Sequence, residues 1–120
     1  MDSRTLNQFR SLLQSRHKDL LEQIARNEQQ TRATADRQPE DSGDMSTKSV
    51  ERDLLFATTD SNHRMLRLID AALKRVRQST FGMCMGCGHE ISMQRLKAVP
   101  WALYCIKCQN RAEKRLAAVT

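Results

Sequence analysis

Two Cys-x-x-Cys pairs, Cys84-Met85-Gly86-Cys87 and Cys105-Ile106-Lys107-Cys108, stand 17 residues apart near the end of a 120-residue chain. Four-cysteine zinc sites are built at this spacing, so these pairs limit what the last third of the chain can fold into. Each pair is expected to form a knuckle, with Gly86 and Gly88 supplying the positive φ such turns require. Zinc takes four thiolates in a closed tetrahedral shell, which leaves no bound water to activate. The expected site is therefore structural: one zinc ion held by Cys84, Cys87, Cys105 and Cys108. A thioredoxin-like dithiol would need a surrounding βαβ pattern, which the sequence lacks. His89 beside the first knuckle finds no vacancy in a complete set of four thiols. Met83, Met85 and Met93 read as fillers around a small core.

A chain of 120 residues has room for one modest core, and any second hydrophobic centre must be stapled. Aromatic residues make up 4% and charged residues 28%, a mixture that fits long exposed helices rather than a sandwich. Residues 1–10 lack the apolar stretch of a signal peptide, and no segment approaches the ~18 apolar residues of a membrane span. The expected location is the cytoplasm, where thiols stay reduced and serve as metal ligands rather than disulfides.

The fold class expected is mainly α: a long antiparallel coiled-coil hairpin with a four-cysteine zinc-finger base and a short C-terminal helix. Leu6, Phe9, Leu13, His17, Leu20 and Ile24 recur at spacings of three and four and mark the inner stripe of helix one, over 1–35. Val50, Leu54, Ala57, Ser61, Met65, Leu68, Ala72 and Val76 form the matching stripe of helix two, over 47–78. Each helix alone would leave its apolar side wet, so the two are expected to zip together. The zinc finger occupies 79–108. The terminal helix, 109–120, is expected to lay its apolar side over Leu66, Ile69 and Leu73.

Between the helices, 36–46 reads as the hairpin tip. Pro39 and Gly43 interrupt helical hydrogen bonding and permit reversal. Asp44, Ser46 or Thr47 could cap helix two. Asp36, Glu40, Asp41 and Asp44 face only Arg37 in this stretch. With 1.5 Å rise per residue, the tip would stand roughly 40 Å from the base. Charge is thus polarised: an acidic middle segment, and a zinc end where Arg95, Lys97, Lys107, Arg111, Lys114 and Arg115 outnumber Glu90 and Glu113. A plain nucleic-acid binder needs only the basic face.

Phe81-Gly82-x-Cys84-x-x-Cys87-Gly88-x-Glu90-Ile91, then Arg95-Leu96-x-Ala98-x-Pro100 and Cys105-Ile106-x-Cys108-Gln109, closely resemble the DksA/TraR family of RNA polymerase regulators, and the match covers nearly the whole chain. Asp41-x-x-Asp44-x-Ser46 takes the place of the family's tip motif Asp-x-x-Asp-x-Ala, with Ser46 for the alanine. The resemblance implies a coiled coil inserted through the polymerase secondary channel. It also implies Asp44 as the main effector near the catalytic centre, with Asp41 as its neighbour. The expected function is non-enzymatic modulation of promoter open complexes. Members that respond to ppGpp carry basic residues where this chain has Leu68, Val99 and Gln109, so ppGpp is not expected as a ligand. Two other readings compete. One is a Gre-like accessory factor for transcript cleavage, which the four-cysteine element disfavours. The other is a direct nucleic-acid binder using the basic zinc end, which the scarcity of stacking aromatics disfavours. Neither membrane binding nor sequence-specific DNA binding is expected.

Overall fold

The computed structural model describes residues 1–35 and 42–119, without the side chains of 34, 35, 42–46, 48 and 119. It is mainly helical: α1 spans Ser3–Ala35, α2 Ser42–Arg77, α3 Met93–Ala98 and α4 Ile106–Val119. Among the described residues no strand forms, and a single antiparallel bridge joins Met83 and Glu90. No helix is long and apolar enough to cross a membrane, among the residues described.

Helix ends follow local chemistry. Asp2 accepts the backbone N–H of Thr5 at 2.7 Å and so caps α1. Hydrogen bonds from the Thr5 side chain and backbone hold the Asp2 carboxyl below its usual range. Lys74, Arg75 and Arg77 fill the last turn of α2, where cations complement the helix dipole. That helix closes with Ser79 at φ 61° and with the Thr80 N–H donating to the Arg75 carbonyl at 2.9 Å. At its other end α2 begins at Ser42, five residues ahead of the expected start. Gly43, Asp44, Ser46 and Thr47 therefore lie inside the helix instead of breaking or capping it. One glycine costs a helix only about 1 kcal/mol relative to alanine, too little to stop it.

The chain divides into two compact units. The first joins Met1–Ser15 to Ile69–Thr120. Its core contains Phe9, Leu13, Ile69, Ala72, Val76, Phe81, Cys84, Ile91, Leu96 and Ala102. The rings of Phe9 and Phe81 meet at 5.3 Å between centroids. The second unit, Arg16–Leu68, pairs the later part of α1 with the earlier part of α2, running antiparallel. Ile24 and Leu66 are buried there.

The stripe expected on α1 faces inward, with Phe9, Leu13 and Ile24 buried and Leu6, His17 and Leu20 half-buried. The stripe expected on α2 holds only from Met65 onward. Val50, Leu54, Ala57 and Ser61 are exposed, and the inner row there runs instead through Leu55, Thr59, Asn62 and Leu66. Two polar residues on the true row masked its period. α4 also departs from expectation: it starts at Ile106, and Ile106 and Leu116 remain 62% and 69% exposed. No residue of α4 described is fully buried; Cys108, Gln109 and Ala112 are half-buried, and the rest of the helix described is exposed.

Candidate metal centre

The first knuckle is a short hairpin. Ile91 N–H donates to the Gly82 carbonyl at 2.7 Å, and Cys84 N–H donates to the His89 carbonyl at 2.8 Å. These bonds bring Cys84 and Cys87 to one side of a turn that Gly88 N–H closes onto the Cys84 carbonyl at 3.0 Å. Gly82 and Gly88 take positive φ, 86° and 76°. Gly86, expected to do the same, does not. Its surroundings are close instead: a Cβ there would lie 3.0 Å from Cys108 Sγ and 3.2 Å from Cys108 Cβ, so Cys108 would have to shift by a few tenths of an ångström to admit one.

The second knuckle runs straight into a helix. Cys105 stands at the entry of α4 and Cys108 lies in its first turn, with Gln109 N–H bonded to the Cys105 carbonyl at 2.9 Å. Two ties set this knuckle against the first. Met85 N–H donates to the Leu103 carbonyl at 2.8 Å, and Cys105 N–H donates to Cys84 Sγ at 3.2 Å.

Between the knuckles lies α3, a helix that the sequence reading did not separate from the zinc finger. Ser92 caps it by accepting the Arg95 N–H at 3.2 Å, and Leu96 fills the core at 1% exposure. From this helix Arg95 Nε donates to the Tyr104 carbonyl at 2.8 Å, one residue ahead of Cys105. Arg95, counted from sequence among the cations of the basic zinc end, thus holds the second knuckle in place. Nothing in a lone arginine ten positions before a cysteine marks that role.

The four Sγ atoms lie within 4.8 Å of one another, with Cys87 and Cys105 at 3.9 Å. A tetrahedron of thiolates with Zn–S near 2.3 Å places its sulfurs about 3.8 Å apart, so the cluster fits one zinc ion. Cys84 is buried, Cys87 is exposed, and Cys105 and Cys108 are intermediate. Burial opposes ionisation of Cys84, yet N–H donors from Cys105, Cys87 and Gly86 outweigh it and bring the thiol down to about 6. Cys105 is lowered mainly by the backbone N–H of Cys108. Cys108 moves the other way, to about 12, because hydrogen bonding with Cys105 and Cys84 and then burial keep its proton on. Crowded sulfurs of this kind share protons until a dication replaces them.

His89 contributes its carbonyl to the knuckle and stands outside the sulfur cluster. Met83, Met85 and Met93 are 39%, 65% and 41% exposed, so they do not fill the small core as expected. Phe81, Ile91 and Leu96 do. Of the expected tip residues, Asp41 lies outside the described residues. Asp44 and Ser46 fall on the first turns of α2, with their side chains outside them.

Residues 79–114 match the family described as the prokaryotic dksA/traR C4-type zinc finger. The chain is 31% identical over 115 residues to the RNA polymerase-binding transcription factor DksA of Haemophilus influenzae, covering 96% of this chain and 79% of that one. A protein of Aquifex aeolicus is 34% identical over 104 residues, 86% of this chain and 72% of its own. Among solved structures, transcription factor DksA2 from Pseudomonas aeruginosa superimposes with a TM-score of 0.85 at 28% identity, covering 98% of this chain and 89% of that one. The DnaK suppressor protein from Agrobacterium tumefaciens gives a TM-score of 0.60 at 33% identity, covering 92% and 96%.

Proposed function

The chain belongs to the DksA/TraR family of C4-type zinc-finger proteins, and on that premise we propose that it binds RNA polymerase and regulates transcription without catalysing a reaction. The observation that carries this reading is likeness along almost the whole chain to a factor named for polymerase binding. An intact four-thiol cluster at the matching segment supports it. Cys84, Cys87, Cys105 and Cys108 hold one zinc ion as thiolates. That ion fixes two knuckles which otherwise share only a few backbone bonds.

In this reading the helical hairpin enters the polymerase secondary channel and brings Asp44, with Asp41 and Ser46 beside it, near the catalytic centre. There the aspartates change the lifetime of promoter open complexes. The protein works in the cytoplasm, where its polymerase is.

ppGpp takes no part. Val99 ends α3 as its C-cap, Gln109 donates to Glu113 at 3.2 Å, and Leu68 carries no donor. None of them offers the cation that phosphate recognition favours. Arg95 Nε is engaged with the Tyr104 carbonyl, which gives that arginine a role inside the zinc unit independent of nucleic acid.

The test is competitive binding of the zinc-loaded protein to core RNA polymerase, with and without DNA. Saturable binding to polymerase in the absence of DNA supports the reading. Binding that appears only with DNA favours the nucleic-acid alternative.

A further inference from the structure

Within Arg16–Leu68 the inner rows step by threes and fours: Leu20, Ile24, Asn27 and Thr31 on α1, and Leu55, Thr59, Asn62 and Leu66 on α2. Half of these positions are polar. The Nδ2 atoms of both Asn27 and Asn62 are buried without a hydrogen-bond partner. A buried amide left unpaired carries its full desolvation cost, and asparagine in a coiled-coil seam sets register at the expense of stability. The Thr31 hydroxyl donates to the Asn27 carbonyl at 2.8 Å, a bond within one helix that adds no tie between the two.

Apolar residues that could have sealed this seam lie one row over. Val50 and Leu54 are 60% and 63% exposed on α2. The other compact unit is built the opposite way, with Leu13, Ile69 and Ala72 at 0% exposure and Leu96 at 1%.

We infer that Asn27 and Asn62 make the Arg16–Leu68 helical pair a separately opening element, correct in register but weakly sealed, whose helices part from one another while the zinc-bearing unit stays closed. Elements that move are drawn from the low-stability end of a structure, and few buried apolar contacts are what places them there. A pair held in this way keeps one pairing in the free protein and can repack against a surface it meets.

The experiment is native-state amide hydrogen exchange on the full zinc-loaded chain, under conditions where exchange reports opening equilibria. Amides of Ile24, Asn27, Asn62 and Leu66 are expected to be at least about tenfold less protected than those of Leu13, Ile69 and Ala72. An Asn27→Leu, Asn62→Leu double variant is expected to raise protection in the first set by about tenfold or more and leave the second set nearly unchanged. Equal protection of the two sets in the unsubstituted protein overturns the inference, and this measurement decides the matter even if the double variant does not fold. A folded double variant whose protection in the first set is unchanged or lower overturns it as well.

Discussion

Arg95 on α3 donates through Nε to the carbonyl oxygen of Tyr104 at 2.8 Å, and this bond fixes the strand of backbone that delivers Cys105 to the cluster. Hydrogen bonds from charged groups are worth roughly 1.5 to 3 kcal/mol. Supports of this kind behind metal ligands commonly change metal affinity by about 10- to 100-fold. Arg95→Ala is expected to weaken zinc retention by about tenfold against a chromogenic chelator. Arg95→Lys should fall between, because a lysine keeps the charge and loses the planar donor. Unchanged zinc affinity in Arg95→Ala would show that the bond does not position the site.

Gly86 and Gly88 separate two reasons for glycine in one knuckle. A Cβ at Gly86 would meet Cys108 Sγ at 3.0 Å, whereas a Cβ at Gly88 meets nothing within 4 Å but sits on a backbone at φ 76°. Gly86→Ala is expected to weaken zinc binding. Gly88→Ala should bind zinc nearly as well and lose about 1 to 2 kcal/mol of stability to backbone strain. Parallel chelator competition and urea unfolding would read the two effects apart.

The Phe9 and Phe81 rings are 5% and 7% exposed and lie 5.3 Å apart. Phe9→Ala is expected to cost about 3 to 5 kcal/mol, from lost burial and the cavity left behind. A double-mutant cycle with Phe81→Ala should show coupling of about 0.5 to 1.5 kcal/mol, the value of an aromatic pair beyond its area. Denaturant unfolding at fixed zinc measures both.

How far these features could be read in advance depended on whether one residue type carried the signal alone. Four cysteines at fixed spacing need no tertiary information, and their sulfurs do converge within 4.8 Å. The inner row of α1 was legible because Phe9, Leu13 and Ile24 are both apolar and buried. On α2 the same rule chose the wrong row. Val50 and Leu54 look like core and are exposed, whereas Thr59 and Asn62 look like surface and face inward. Periodicity records polarity, and here polarity and burial disagree. Arg95 and Gly86 act through one backbone carbonyl and one close approach, contacts that only the folded chain creates. Leu116 belongs to an amphipathic pattern, yet its helix leaves it 69% exposed.

The nucleotide ppGpp is expected to leave this protein's effect on transcription unchanged. Leu68, Val99 and Gln109 supply no cation to phosphate. The measurement is open-complex decay at a responsive promoter, using a polymerase that lacks its own ppGpp sites, with the protein present and the nucleotide added or omitted. Equal decay rates are expected. Marked synergy between protein and nucleotide would contradict the assignment.

In the proposed function polymerase is the target, and the aspartates near the start of α2 act there by charge rather than bulk. Two carboxylates add little contact area, whereas specific interfaces draw on many hundreds of Å2. Asp44→Asn keeps size and shape and removes the charge. The most direct measurement is therefore competitive binding to core RNA polymerase alongside open-complex lifetime, for the unsubstituted protein and Asp44→Asn. Binding within about twofold and loss of the effect on lifetime are expected, because a charge-assisted acceptor has been removed while the docking surfaces remain. Full regulatory activity in Asp44→Asn, or loss of binding in step with activity, would contradict it.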